Sequence, residues 1–257
     1  MRRLLQLASQ HRTQGTNQLL GTLLAFNAGA VNAGGLLVVG VYTSHMTGFA
    51  SMLADQLVLG QMALALGALG SLLAFVSGAA ITALMVNWAR QHHLRSEYAL
   101  PLMLEAVLLL VFGLMGATMG RQTPFAVPLT VLVLAFTMGL QNALVTKISA
   151  AQMRTTHMTG VITDLGIELG KLLYWNRRPE TPISVTDTQP APVHADRFKL
   201  KLYGTLLLSF FTGGLVGATG FRYLGFVWVL PFATLLLLAS LPPLVADIRS
   251  RTVPPPP

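Results

Sequence analysis

The sequence contains no cysteine and few charged residues. Charged side chains make up 10% of its 257 residues, against roughly 25% in an ordinary soluble domain. The absence of cysteine excludes disulfide bonds, thiolate metal sites and cysteine nucleophiles. The shortage of charge leaves too few polar groups to cover a globular surface. This shortage of charge excludes a soluble globular protein and indicates an integral membrane protein.

The sequence also lacks the Gly-x4-Gly-Lys-[Ser/Thr] loop that binds nucleotide phosphates. Coupling to ATP would therefore need another chain. The net charge of +8 is of the kind that attracts nucleic acid, but Lys and Arg lie in the linkers between apolar runs. We expect no nucleic-acid partner, no cofactor and no metal site.

Apolar runs without charge recur along the chain, and hydrophobic residues make up 53% of it. Several runs reach the ~20 residues that cross a hydrocarbon core of ~30 Å. The fold class is therefore all-α, in a lipid bilayer. Six membrane-spanning helices are predicted near residues 18–42, 63–88, 97–119, 124–146, 202–221 and 223–246.

The basic residues predict an orientation for these spans. Of 17 Lys and Arg residues, only Arg121 and Arg222 fall on the side of the membrane opposite to the others. By the positive-inside rule, both termini are expected in the cytoplasm. Residues 1–17 and 247–257 are then cytoplasmic ends, and the polar, proline-rich segment 176–198 is predicted as a disordered cytoplasmic loop.

A short phrase occurs twice in the chain. Residues 43–48 read Thr-Ser-His-Met-Thr-Gly, and residues 155–160 read Thr-Thr-His-Met-Thr-Gly. Upstream, six of ten aligned positions are identical between 24–33 and 134–143. Because each half holds three spans, an odd number, the second half would enter the membrane inverted. We predict two inverted repeats, a common plan of transporters, with boundaries at 18–120 and 121–246.

Small residues form a stripe on the first and on the fourth span. Their i, i+4, i+8 spacing allows another helix to approach closely. The stripes serve either for packing alone or for a crossing of these two spans at the pseudo-twofold axis. The helix-packing residues are Ala25, Gly29, Ala33, Ala135, Gly139 and Ala143.

Polar residues in and before the repeated phrase are the candidate substrate-binding residues. Hydroxyl, imidazole and glycine suit a chain that leaves regular helix inside a membrane protein. Amides within the spans either form interhelical hydrogen bonds or line a polar cavity. The candidates are Asn32, Thr43, His45, Thr47, Gly48, Gln141, Asn142, Thr155, His157, Thr159 and Gly160.

Each phrase is followed by a short helix-like stretch, over residues 49–59 and 160–173. Each is either an interfacial amphipathic helix or a broken helix whose N-terminus points at substrate near the midplane. His45 and His157 either titrate near neutral pH and gate transport or cap local backbone. A His-Met pair also suits Cu(I), but no further Met or Cys ligands follow at metal spacing.

Glu105 is the only acidic residue well inside a predicted span. A carboxylate within the membrane is a functional candidate by default. We therefore consider Glu105 for ion coupling, with snorkelling to the cytoplasmic surface as the alternative. Asp164, in the second short helix, is the other coupling candidate.

These motifs resemble the YoaK family of bacterial membrane proteins, also called DUF1275 or UPF0700. The resemblance covers roughly residues 20–245 and is carried by Gly29-x-x-Asn32-Ala33 and Gly139-x-Gln141-Asn142-Ala143, each followed by its His-Met-Thr-Gly phrase. It implies a six-span protein of the bacterial inner membrane, often regarded as a transporter, and it brings no substrate residues. Many members carry Asp where this chain has Asn32, which puts proton coupling through that position in doubt.

Taken together, these features predict a secondary transporter or exporter of a small polar or organic solute, with assembly into a homo-oligomer left open. Two other classes stay open. One is a membrane scaffold or sensor whose 176–198 loop binds a cytoplasmic partner. The other is an intramembrane enzyme with His45 or His157 as base, which would need a nucleophile, metal or acid at workable geometry. We do not expect an enzyme.

Overall fold

The computed structural model describes residues 14–94, 96–118, 126–149, 153, 155–174 and 193–252. Regular structure in these ranges is helical. The long helices are α1 (Gln14–Val39), α3 (Met62–Gln91), α4 (Ala99–Thr118), α5 (Ala126–Ile148), α7 (Arg197–Leu224) and α8 (Val229–Thr252). The short helices α2 (Met46–Val58) and α6 (Met158–Leu173) follow α1 and α5, and a 3-10 turn (Gly225–Trp228) joins α7 to α8.

Five stretches of the described residues are long and apolar enough to cross a bilayer. Four fall within α1, α3, α4 and α5, and the fifth, Arg197–Arg249, is 53 residues long and contains both α7 and α8. Large apolar side chains such as Leu84, Leu114 and Leu208 are exposed on these helices, and so much apolar surface is unusual in water. The prediction of an all-helical, multi-pass membrane fold is confirmed at this level.

The last two long helices begin at other residues than the apolar runs predicted. α7 begins at Arg197 rather than near residue 202, because the carboxylate of Asp196 accepts the backbone N–H groups of Phe198 at 2.9 Å and Lys199 at 3.2 Å. Arg197 and Phe198, which we had assigned to the loop 176–198, are thus helical. Residues 176–192 of that loop lie outside the described ranges.

α1 packs most extensively against α7. Gly29 lies against the backbone carbonyl of Phe210, and Gly213 lies against that of Phe26. A methyl group at either glycine would overlap the opposing carbonyl, so the two backbones meet where neither helix has a side chain. Further along, Gly34 meets Phe221. Residue numbers rise together on both sides, so α1 and α7 run parallel.

α3 and α5 form a second crossing of the same kind. Gly78 lies against the backbone carbonyl of Phe136, and Gly139 lies against that of Phe75. If the small-residue stripes marked a crossing of the first and fourth spans, Gly29 and Gly139 would meet. In the structure, Gly29 of α1 instead packs against α7, and Gly139 of α5 packs against α3.

α1 and α5 run antiparallel. The side-chain amide of Asn17, near the start of α1, donates to the carbonyl of Ile148 at the end of α5, at 3.4 Å. Further in, Gln141 Nε2 donates to the carbonyl of Leu24 at 2.8 Å. Low residue numbers on α1 therefore meet high numbers on α5.

α4 and α8 are also antiparallel. Gly113 in α4 lies against Val229 at the start of α8, and the N–H of Ser96 before α4 donates to the carboxylate of Asp247 near the end of α8, at 2.9 Å. Phe112 is fully buried beside this contact. These two contacts, near opposite ends of α4, show that α4 and α8 pack along most of their lengths.

Candidate functional sites

The first His-containing turn lies between α1 and α2. Gly40 ends the helical segment with a φ of 75°, a left-handed conformation that favours glycine. Asn32 Oδ1 accepts hydrogen bonds from the backbone N–H of Ser44 at 3.2 Å and from its hydroxyl at 2.9 Å. Asn32 therefore braces the turn that follows its own helix. We had expected it to bond another helix or to line a cavity.

The second turn, between α5 and α6, repeats this bracing. Asn142 Nδ2 contacts Thr156 Oγ1, and Thr156 stands in the repeated phrase where Ser44 stands in the first. The amide oxygen of Asn32 accepts, whereas the amide nitrogen of Asn142 donates. The same pair of positions is thus linked in both turns, with the hydrogen bond reversed.

The first threonine of each phrase is buried. Thr43 and Thr155 are both 0% exposed, and among the described residues neither Oγ1 atom has a hydrogen-bond partner. A buried hydroxyl without a partner costs about 1–3 kcal/mol. Each turn therefore contains one buried polar group that the described side chains leave unsatisfied.

The two histidines are exposed and directly precede α2 and α6. Neither imidazole forms a side-chain hydrogen bond at the N-cap of its helix. The ring of His45 lies over Gly48, where a methyl group would overlap it. Thr47 and Thr159 are exposed in the same first turns, and Gly160 is half-buried.

The two turns lie at opposite ends of the molecule. Each follows the C-terminal end of its helix, and α1 and α5 are antiparallel. α5 has 23 residues, so the turns are separated by about 35 Å along its axis. The structure therefore places the two sets of candidate residues far apart and not in one central site.

A buried polar centre lies between these turns. Glu105 in α4, Asn27 in α1 and Gln141 in α5 are each 0% exposed. Asn27 Nδ2 donates to Glu105 Oε1 at 3.0 Å, and Gln141 Nε2 donates to the carbonyl of Leu24. One oxygen on each of the three side chains has no hydrogen-bond partner among the described residues. Glu105 therefore points into the protein, and the snorkelling alternative fails.

Sequence reasoning selected Gln141 and Glu105 but missed Asn27. Asn27 lies in a charge-free apolar run between Phe26 and Ala28. An amide inside hydrocarbon needs partners, and that argument, which selected Asn32, applies equally to Asn27. Asn27 is also not part of the repeated pattern, because the second half has Thr137 at the equivalent position.

The small-residue stripes lie in helix contacts. Ala25, Gly29, Ala135 and Gly139 are buried, and Ala33 and Ala143 are half-buried. The stripes thus occupy the faces of α1 and α5 that pack on α7 and α3.

Glu168 links α6 to the start of α7. Its carboxylate accepts from Lys171 Nζ at 2.8 Å and from the backbone N–H of Asp196 at 2.8 Å. The hydrogen bond from Lys171, and then that from Asp196, hold the pKa of Glu168 below its usual value. Asp164, the other coupling candidate, is half-buried one turn earlier on α6, away from the contact between Asn27 and Glu105.

Two grooves flank the helix crossings. One, of about 300 Å³, lies between the first halves of α1 and α7 and includes Gln18, Thr22, Lys201 and Thr205. The other, of about 320 Å³, lies between α2, α3 and α5 and includes Phe49, Met52, Leu66 and Leu132. The lining of the first groove is part polar and part apolar, and that of the second is mostly apolar. Within the described ranges, no three His, Cys, Asp or Glu side chains converge to hold a metal ion.

Comparison with known proteins agrees with the helical membrane architecture. The chain is 29% identical over 167 residues to the UPF0700 transmembrane protein YoaK of Bacillus subtilis (strain 168), which covers 64% of this chain and 72% of the relative. No solved structure matches the chain. The model of the family described as "Protein of unknown function (DUF1275)" matches residues 20–241. The chain therefore belongs to the DUF1275 family of transmembrane proteins.

Proposed function

We propose that this chain is a secondary transporter or exporter of a small polar or organic solute in a bacterial inner membrane. It has six membrane spans, arranged as two inverted halves of three, with α2 and α6 as the short helices after the first span of each half. The observation that carries this proposal is the buried polar centre where the two halves meet.

The contacts between helices support the inverted halves. In each half the first long helix packs on the middle long helix of the other half, α1 on α7 and α5 on α3. Both crossings use a Phe-x-x-Gly unit on each helix, with glycine against the carbonyl of the opposing phenylalanine. The antiparallel direction of α1 and α5 is what inverted copies require. Each crossing also has a groove beside the first parts of its two helices.

The polar groups inside the protein support transport over a purely structural role. Glu105, Asn27 and Gln141 each bury an oxygen without a partner, and each such group costs about 1–3 kcal/mol. A scaffold gains nothing from this cost, whereas a solute pathway needs polar groups at its centre. One His-containing turn at each end gives the two sides of the membrane equivalent polar entrances.

Reconstitution into liposomes tests the proposal. Liposomes that contain the purified protein are loaded with one unlabelled solute at a time, from a panel of amino acids, organic acids, amines and sugars. Entry of the same solute in labelled form is then followed. We expect counterflow for one solute class and its loss in Asn27→Leu, with Gly204→Ala as the matched control. If no solute exchanges in either direction while the protein remains folded, the scaffold or sensor class replaces transport.

A further inference from the structure

Glu105 and Asn27 form a pair with two unused oxygens. Both side chains are 0% exposed. Asn27 Nδ2 donates to Glu105 Oε1 at 3.0 Å, while Glu105 Oε2 and Asn27 Oδ1 have no hydrogen-bond partner among the described residues. Both unused atoms are acceptors if the carboxyl group is ionised. Glu105 Oε2 and Asn27 Oδ1 belong to two side chains that are already hydrogen-bonded to each other. One donor shared between these two acceptors would therefore satisfy both.

We propose that Glu105 and Asn27 are a proton-binding site, in which one proton on Glu105 Oε2 is donated to Asn27 Oδ1. The two side chains then share a closed pair of hydrogen bonds, N–H to Oε1 and O–H to Oδ1. A single proton satisfies both buried oxygens and removes the buried charge. The proton adds to the carboxylate and leaves from the same oxygen, so no other atom is exchanged.

The described helices that pack around Glu105 place no basic side chain beside its carboxyl group, so a bound proton is what neutralises it. α1 (Gln14–Val39) contains no acidic or basic residue. The register of Gly113 with Val229 and of Ser96 with Asp247 places apolar leucines of α8 opposite Glu105. The charged groups on the packed helices lie near helix ends: Arg90 and Glu97 as an ion pair at 2.8 Å, Lys147 beside Asn87, Arg197, Lys199 and Lys201 at the start of α7, Arg222 at its end, and Asp247, Arg249 and Arg251 in α8.

Gln141 is the positioning residue of the site. Its amide donates to the carbonyl of Leu24 at 2.8 Å, and a helical carbonyl points one turn ahead, to about the level of residue 27 or 28. Gln141 therefore fixes α5, from the second half, beside the Asn27–Glu105 pair. Its Oε1 is also buried without a partner among the described residues, so the carboxyl group lies where the two halves meet.

The site deepens the proposed function, on which it rests for its role, by naming the proton as the coupling ion. A set of three unpartnered oxygens also suits Na⁺, a hard cation with oxygen ligands. The two ions make opposite demands on the carboxyl group. A proton site holds it neutral in this structure, whereas a Na⁺ site holds it ionised.

Thermal unfolding of the purified protein separates these cases without any solute. Glu105→Gln imitates the protonated acid, because its amide donates to Asn27 Oδ1 and accepts from Asn27 Nδ2. We expect the wild type and Glu105→Gln to unfold at nearly the same temperature at about pH 6. As the pH rises to about 10, the wild type should lose stability relative to the Gln variant, since the unfolded chain binds fewer protons than the folded one. Asp55→Asn, at an exposed position, is the control and should follow the wild type.

Two results would overturn the proton site. One is a wild-type protein that Na⁺ stabilises at constant pH while Glu105→Gln does not respond. The other is a Glu105→Gln variant less stable than the wild type throughout the range. Infrared spectroscopy gives a direct readout. We expect a carboxylic acid carbonyl band at neutral pH in the wild type, lost in Glu105→Gln and retained in Asp55→Asn, and its absence from the wild type would also reject the site.

Coupling is measured separately in liposomes. In Glu105→Gln we expect solute counterflow to continue while accumulation driven by a pH gradient is lost. If the gradient still drives accumulation in this variant, the proton is not carried by Glu105. A failure to find any transported solute would refute the proposed function but leave the unfolding and infrared results to decide the proton site.

Discussion

Asn32 provides the acceptor for two donors of one residue, the N–H and the hydroxyl of Ser44. Replacing Asn32 with alanine leaves both donors without this acceptor. The hydroxyl of Ser44 can rotate towards another acceptor, whereas its backbone N–H is fixed in direction. We expect Asn32→Ala to lower the free energy of unfolding by about 1–3 kcal/mol. Thermal unfolding in detergent, followed by tryptophan fluorescence, measures the loss.

Ser44→Ala is the matched control, because it removes the hydroxyl donor and keeps the N–H bond to Asn32. Its expected cost is smaller, about 0.5–1.5 kcal/mol. Asn32→Asp keeps an acceptor for both donors and should restore most of the stability lost in Asn32→Ala. Equal losses in Asn32→Ala and Ser44→Ala would show that the turn does not depend on the backbone bond.

Glu168 makes a pH-dependent contribution to the folded state. Its folded pKa is lowered by Lys171 and by the N–H of Asp196, whereas a free Glu titrates near about 4.3. The stabilisation is therefore fully present above that pH and is lost as the pH falls through the folded pKa. We expect the wild type to unfold at a higher temperature than Glu168→Gln at pH 7, and the difference to vanish in acid. A difference that grows in acid would contradict the ion pair.

Each helix crossing depends on two glycines, one on each helix. A methyl group at Gly29 would overlap the carbonyl of Phe210, and the backbones of α1 and α7 would have to separate. Such overpacking costs about 1–3 kcal/mol. We expect Gly29→Ala to lower the unfolding temperature and the yield of folded protein. Gly139→Ala should do the same at the crossing of α3 and α5.

Gly204 in α7 provides the control for these substitutions. A methyl group there meets nothing within 4 Å, and alanine is more stable than glycine in a helix by about 0.5–1 kcal/mol. Gly204→Ala should therefore leave the unfolding temperature unchanged or raise it. A loss as large as that of Gly29→Ala would mean that the crossing is not the cause.

The molecule as a whole should present its two turns to opposite sides of the membrane. The chain has no cysteine, so one introduced cysteine is the only thiol. Leu59 follows α2 and Tyr174 follows α6, and both are exposed. We expect a membrane-impermeant maleimide to label Leu59→Cys on intact cells and Tyr174→Cys only after permeabilisation. Labelling of both from outside would reject the inverted halves and the cytoplasmic termini.

The sequence predicted elements better than partners. The apolar runs predicted the long helices, and the repeated phrase predicted the short helices after α1 and α5, because hydrophobicity and turn-forming residues act locally. The start of α7 was misplaced, since its cap at Asp196 depends on Glu168 and not on apolar character. The amide of Asn27 within an apolar run indicates that it needs a partner, but nothing in that run indicates that the partner is an acid on another helix.

By itself, the sequence determined that this chain is a helical membrane protein, because its long apolar runs and its shortage of charge require a lipid bilayer around it. It also determined which residues are polar enough to form sites. Only the tertiary structure decided that Gly29 meets α7, that the two turns lie at opposite ends, and that Glu105 faces Asn27 from 78 residues away. These contacts depend on the directions in which the packed helices run, and a pattern of hydrophobicity along one helix contains no information about its neighbours.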